Sequence, residues 1–238
     1  MEELMSYLRE LAIANRILAR EGVVDAFGHI SMRHPKNPDR YLLSRSRAPE
    51  LITPDDIMEF SIDGVAVDPR DRTPYGERFI HGAIYEQRPE VNSVIHNHSH
   101  ELIPFSVTDA PLRPIAHVCA VIGANIPTWD ITAKFGETDL LVVNMEQGRD
   151  LAASLGGGPV ALMRGHGSVC AGVSLKEAVM TAVYLQVNAK LQLQALQLGE
   201  PKFLSPTEVE KCTARQMSPL GMDRAWEYWV SRIDSTGV

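Results

Sequence analysis

The stretch VNSVIHNHSHE, residues 91–101, decides the fold and most of the chemistry. An apolar run passes directly into three histidines spaced two apart: His96, His98 and His100. Its β-branched content and its bounding by Pro89 predict a strand. Alternate residues of a strand face the same way, so His96 and His98 project together, about 7 Å apart at the backbone. Two imidazoles at that separation can converge on one metal ion, while His100 falls past the strand end. The third ligand must come from elsewhere. The best candidate is His166 in RGHGS, residues 164–168, because its two flanking glycines permit a tight turn and a close approach to another strand. A carboxylate or a water would complete the shell. Three nitrogens with an open position suit a catalytic Zn, Mn, Fe or Co ion. Any one of these histidines alone reads as a satisfied core or surface residue; HNH together with the distant GHG points to a metal.

Working outward, residues 2–21 carry apolar side chains at spacings of three and four, predicting a helix that Gly22 ends. HISMR, RYLLS and DIMEFSIDGVAV read as short strands, with a hairpin signal at Asp63-Gly64. Thr53 followed by Pro54-Asp55-Asp56 reads as a capped turn or helix start. Residues 75–87 are helical in pattern and stop at Pro89. PVALMRGHG is a further strand and SVCAGV its partner; residues 175–198 form the longest helix, and two amphipathic helices follow within 206–234. Helices at both ends of a β centre give an α/β layered domain. With no repeat, low-complexity tract or linker, residues 1–238 are expected to form one domain, with 206–238 as a helical tail.

At 238 residues and 45% hydrophobic, the chain can bury a full core. A net charge of −7 argues against nucleic acid or an anionic membrane as partner. The three cysteines lack metal or redox spacing and read as reduced thiols. The first residues are charged throughout and lack a signal core, and no run approaches the roughly 18 apolar residues needed to span a bilayer. A cytoplasmic protein is expected.

The chain resembles the class II aldolase/adducin family. The resemblance is carried in order by GHIS at 28–31, LITPDDIMEFSIDG at 51–64, ERFIHGAIYEQRPEVNSVIHNHSH at 77–100 and RGHGSVCAGVSLKEAV at 164–179. It implies an α/β/α single-domain fold with a central, mostly antiparallel sheet, and a homotetramer or other homo-oligomer with sites at subunit interfaces. It implies a divalent metal ion held by His96, His98 and His166, with Glu77 as a further ligand or the catalytic acid/base. On the residues alone, Glu77 is an ordinary first-turn helix glutamate. His117, in PIAHVCAVIG, falls where the family's aldolases place a tyrosine that donates a proton across an interface. By itself it reads as a histidine on a strand near a turn.

The departures from the family pattern point to the substrate. Where sugar-phosphate aldolases hold phosphate with small residues and open amides, this chain has Gly28-His29, Ser44-Arg45 and Tyr75-Gly76. SRSRAPE, residues 44–50, instead offers Arg45 and Arg47, whose planar forks grip carboxylates bidentately. His29 is a further candidate donor to the substrate. The plainer reading of either arginine is a solvated loop residue. These features resemble the family's branch that decarboxylates hydroxylated aromatic or pyridine dicarboxylates, of the 3,4-dihydroxyphthalate or 3-hydroxy-2-methylpyridine-4,5-dicarboxylate type. The rival expectations are an aldolase acting on a non-phosphorylated hydroxy keto acid and an adducin-like scaffold without chemistry. The tail aromatics Trp226, Tyr228 and Trp229 read as helix-face packing before they read as a cover for a neighbour's site.

Overall fold

The computed structural model describes residues 2–234 and 236–238. Seven strands form one sheet: β1 (His29–Arg33), β2 (Arg40–Ser44), β3 (Ile57–Ser61), β4 (Ser93–Asn97), β5 (Thr128–Trp129), β6 (Val160–Met163) and β7 (Gly167–Gly172). Their order is β3-β2-β1-β4-β7-β6-β5, antiparallel at every pairing except β5 with β6. The expected α/β class and mostly antiparallel centre are observed.

Period-two alternation sends side chains to two separate cores. Ile30, Leu42, Ile95, Leu162 and Cys170 face α1 (Glu2–Arg20) and α6 (Leu175–Leu198). Tyr41, Leu43, Val94, Ala161, Met163 and Val169 face the other layer, built from α2 (Arg78–Gln87) and α5 (Met145–Leu155). Each fully buried Leu or Ile contributes about 1.5–3 kcal/mol, so a one-residue register slip, which would exchange the two faces, is strongly disfavoured. The short helices α3 (Ile103–Ser106) and α4 (Thr132–Phe135) lie in the connections. The tail folds as α7 (Pro206–Gln216) and α8 (Pro219–Val230). Trp229 of α8 is buried in the α1–α6 core and Trp226 packs against it, while Tyr228 is exposed.

Local signals explain the boundaries. Gly22, at φ 73°, follows α1. Thr53 and Asp56 form a capping box around a 3₁₀ turn, Pro54–Asp56. The Asp63-Gly64 turn closes with the Ser61 amide donating to the Val65 carbonyl. Several features were not anticipated, among them the short helices α3 and α4; α5, capped by Asn144; the two-residue β5; and a 3₁₀ turn over His117–Ile122. The last corrects the strand reading of His117. The apolar run there coils into a turn and stops at Gly123, φ 86°. Among the described residues, no helix is long and apolar enough to cross a membrane. All three cysteines are free.

Candidate active site

Antiparallel pairing brings chemistry to one end of the sheet. His29, at the start of β1, lies opposite His96 near the end of β4, and β7 begins beside them at Gly167. The strand proper ends at Asn97, yet His98 still turns toward His96, with Nε2 atoms 2.9 Å apart. His166 arrives from the β6–β7 turn, its Nε2 3.1 Å from that of His98. Both flanking glycines are needed. Gly165 sits at φ 64°, and a Cβ on Gly167 would stand 2.0 Å from the Asn97 carbonyl oxygen.

Glu77 stands at the N-cap position of α2, without a side-chain capping bond, and completes the group. Its Oε2 lies 3.4 Å from His96 Nε2 and 3.7 Å from His166 Nε2, and its Oε1 accepts from the Val142 amide at 3.1 Å. One ligand atom from each of Glu77, His96, His98 and His166 lies within 4.8 Å of the others.

This donor set fits a cation. His96 Nδ1–H donates to the Ser168 carbonyl at 3.1 Å, which leaves the Nε2 lone pair facing the centre. His98 Nε2 lies within hydrogen-bond distance of two other Nε2 atoms. His98 Nε2 carries one hydrogen or one lone pair, so it serves one of these contacts and leaves the other without a hydrogen bond. A divalent ion relieves that conflict by accepting all three. Burial, with His96 nearby, lowers the His98 and His166 pKa values to about 4, so both are neutral donors at physiological pH. Burial alone would raise the Glu77 pKa; His96, His166 and His29 outweigh it and hold the carboxyl well below the usual range. Glu77 is therefore an anion.

The other sequence candidates lie around this group. His29 is buried, its ring 5.2 Å from that of His96 and 4.5 Å from that of Tyr75. Arg45 and Arg47 do not reach the histidines; both bind Asp56. Arg45 Nε donates to Asp56 Oδ1 at 2.5 Å and Arg47 Nη1 to Oδ2 at 2.8 Å. The Thr53 amide and hydroxyl add two bonds to Oδ2, each 2.9 Å. Burial opposes ionisation of Asp56, but Arg45, Thr53 and Arg47 lower its pKa to about 2. The Tyr75 hydroxyl donates to the Arg47 carbonyl and its ring packs on His29, so Tyr75 and His29 link the Arg47 backbone to His96. His117 is exposed and faces Gln216, 3.0 Å from its Nε2, and does not join the group within one chain.

Sequence reasoning missed Asp56, Tyr75 and His81. Asp56 looked like a turn residue only. His81 stands four residues after Glu77, on the same helix face, and that spacing was the available signal.

The profile of the class II aldolase and adducin N-terminal domain matches residues 9–193. This chain belongs to the class II aldolase/adducin family. The decarboxylase tropJ of Talaromyces stipitatus is 33% identical to this family member, over 93% of this chain and 92% of that one. A 3,4-dihydroxyphthalate decarboxylase of Arthrobacter keyseri is 29% identical over 79% and 78% of the two chains. The L-fuculose 1-phosphate aldolase of Glaciozyma antarctica superposes with a TM-score of 0.79 at 20% identity, covering 96% of this chain and 88% of that one. Family members named as decarboxylases and as aldolases are both lyases, and this chain is an enzyme of the carbon–carbon lyase class.

Proposed function

We propose that this lyase is a metal-dependent decarboxylase of a hydroxylated aromatic or pyridine dicarboxylate. One observation carries the reading: Arg45 and Arg47 share the single carboxylate of Asp56, which leaves one excess positive charge. Their side chains are 38% and 34% exposed, so guanidinium edges remain free for a ligand. That arrangement suits a carboxylate held by planar forks and lacks the ring of small residues and open amides that cradles a phosphate.

His96, His98 and His166 would hold the ion, with Glu77 beside them. The bound ion would supply Lewis-acid stabilisation of negative charge on the substrate oxygen. Mn, Zn, Fe and Co all suit the donor set. Glu77, anionic at rest, accepts the proton of the ring hydroxyl. It then returns that proton to the ring carbon bearing the leaving carboxylate, giving the keto tautomer. The carbon–carboxylate bond breaks, CO2 departs, and the electron pair restores the aromatic ring as phenolate. The product takes a proton from water on release. His117, reaching a neighbouring subunit's site within a homotetramer or other homo-oligomer, is the alternative donor of the proton to the ring carbon. Arg45 or Arg47 anchors the retained carboxylate; gripping the leaving carboxylate would oppose loss of its charge.

The test is CO2 release from 3,4-dihydroxyphthalate and from 3-hydroxy-2-methylpyridine-4,5-dicarboxylate, with Mn2+ present and after chelation. Metal-dependent release from either supports the proposal and identifies the ring. No release from both, with metal bound, favours the second reading: an aldolase on a non-phosphorylated hydroxy keto acid, which the same four-residue group serves by cleaving to an aldehyde or pyruvate without CO2.

A further inference from the structure

Behind the metal-ligand group runs a buried chain of hydrogen bonds. His29 Nδ1 meets His81 Nε2 at 2.6 Å, His81 Nδ1 meets Ser31 Oγ at 2.6 Å, and Ser31 Oγ meets the Tyr85 hydroxyl at 2.7 Å. All four residues are buried. The chain spans two elements: β1 supplies His29 and Ser31, and α2 supplies His81 and Tyr85, four residues apart on one face.

The polarity of this chain follows from counting hydrogens. Among the described residues, Ser31 Oγ is the hydrogen-bond partner of the Tyr85 hydroxyl. If Ser31 donated to Tyr85, the phenol hydrogen would be buried without an acceptor, a costly arrangement. Tyr85 therefore donates to Ser31, and Ser31 donates to His81 Nδ1. Burial, with His96 nearby, lowers the His81 pKa to about 3, so His81 is neutral and carries one hydrogen, on Nε2. That hydrogen goes to His29 Nδ1. The remaining hydrogen of His29 is on Nε2, which points away from His81. His29 Nε2 has no protein partner among the described residues and is not sealed from solvent. The relay ends at a buried phenol, so it fixes a hydrogen's position and does not conduct protons to solvent.

We propose that Tyr85, Ser31 and His81 are positioning residues that lock His29 in its Nε2–H tautomer, making it a donor of fixed sign for an acceptor oxygen of the substrate. The inference rests on the decarboxylase reading only for the ligand: the fixed donor selects a carboxylate or phenolate oxygen at the metal end of the sheet. A carboxamide or ammonium group presenting its own hydrogen there is rejected.

The test is solid-state 15N NMR of the full-length, Zn2+-loaded protein labelled at histidine. Loss of signals in His29→Asn and His81→Gln assigns the resonances. The expected spectrum shows His29 and His81 both protonated at Nε2 and bare at Nδ1; a hydrogen on His29 Nδ1 overturns the proposal. Calorimetric titration with phthalate gives the functional readout. In His81→Gln the carboxamide can donate or accept, so His29 is expected to show both tautomers and phthalate to bind more weakly in proportion to the lost Nε2–H population, about twofold at equal populations. A wild-type phthalate affinity in a folded His81→Gln overturns the role. Absence of phthalate binding to wild-type protein removes the aromatic-dicarboxylate reading instead, and the tautomer spectrum then judges the relay alone.

Discussion

Replacing Asp56 by Asn separates the charge of this residue from its shape. The carboxylate is 5% exposed and accepts four hydrogen bonds, two from guanidinium groups and two from Thr53. Asparagine keeps one acceptor oxygen and turns an NH2 group toward donors. The native pKa of about 2, against an ordinary value of 3.8, corresponds to roughly 2 kcal/mol of folding free energy at neutral pH. The arginines are about a third exposed, and solvent screening reduces their share of that figure. The facing NH2 adds a lost bond, so Asp56→Asn is expected to destabilise the protein by about 2 kcal/mol at pH 7, lowering Tm by roughly 4–8 °C for a chain of this length. The carboxyl is depressed in the folded state. Its contribution is therefore nearly complete above pH 4 and is lost as pH falls through 2, below which both states are protonated. Urea unfolding of both proteins at equal protein concentration, from pH 7 to pH 3, measures this. The difference should be constant down to about pH 4 and shrink below it. A difference under about 0.5 kcal/mol at pH 7, or one that does not change with acid, would refute the reasoning that this ion-paired carboxylate organises the 44–56 segment.

Three further outcomes are expected. His98→Ala should lose bound metal by elemental analysis and lose activity while circular dichroism shows an intact fold; full metal content would sink the ligand assignment. Arg47→Ala should raise KM at least tenfold with little change in kcat, the loss expected for one charge-assisted carboxylate contact; an unchanged KM removes Arg47 from the pocket. Gly167→Ala places a methyl 2.0 Å from the Asn97 carbonyl oxygen, so β4 and β7 must separate. It should cost about 2–4 kcal/mol of stability and displace His166, weakening metal retention measured by dialysis; a wild-type Tm with normal metal content contradicts that close packing.

The sequence by itself determined the elements whose signals are local. A strand's period of two sorted the side chains of β4 between two cores, Gly22 marked the end of α1 and Pro89 that of α2, and apolar spacing showed α6 and two helices within 206–234. His96 and His98 were legible together because two residues along a chain share a face, and the glycines around His166 marked a turn. The exposed turn at His117 was misread, since a short apolar run looks the same in a strand and in a 3₁₀ turn. Tertiary structure alone decided which distant groups meet. Asp56 gained its two arginines because the turn after Thr53 folds back on the end of β2, a contact that no periodicity encodes. The burial that leaves His81 neutral, and the alignment that joins it to His29, Ser31 and Tyr85, exist only when α2 lies across β1. Hydrogen bonds between elements depend on register and approach, and those are set by the packing of the whole core.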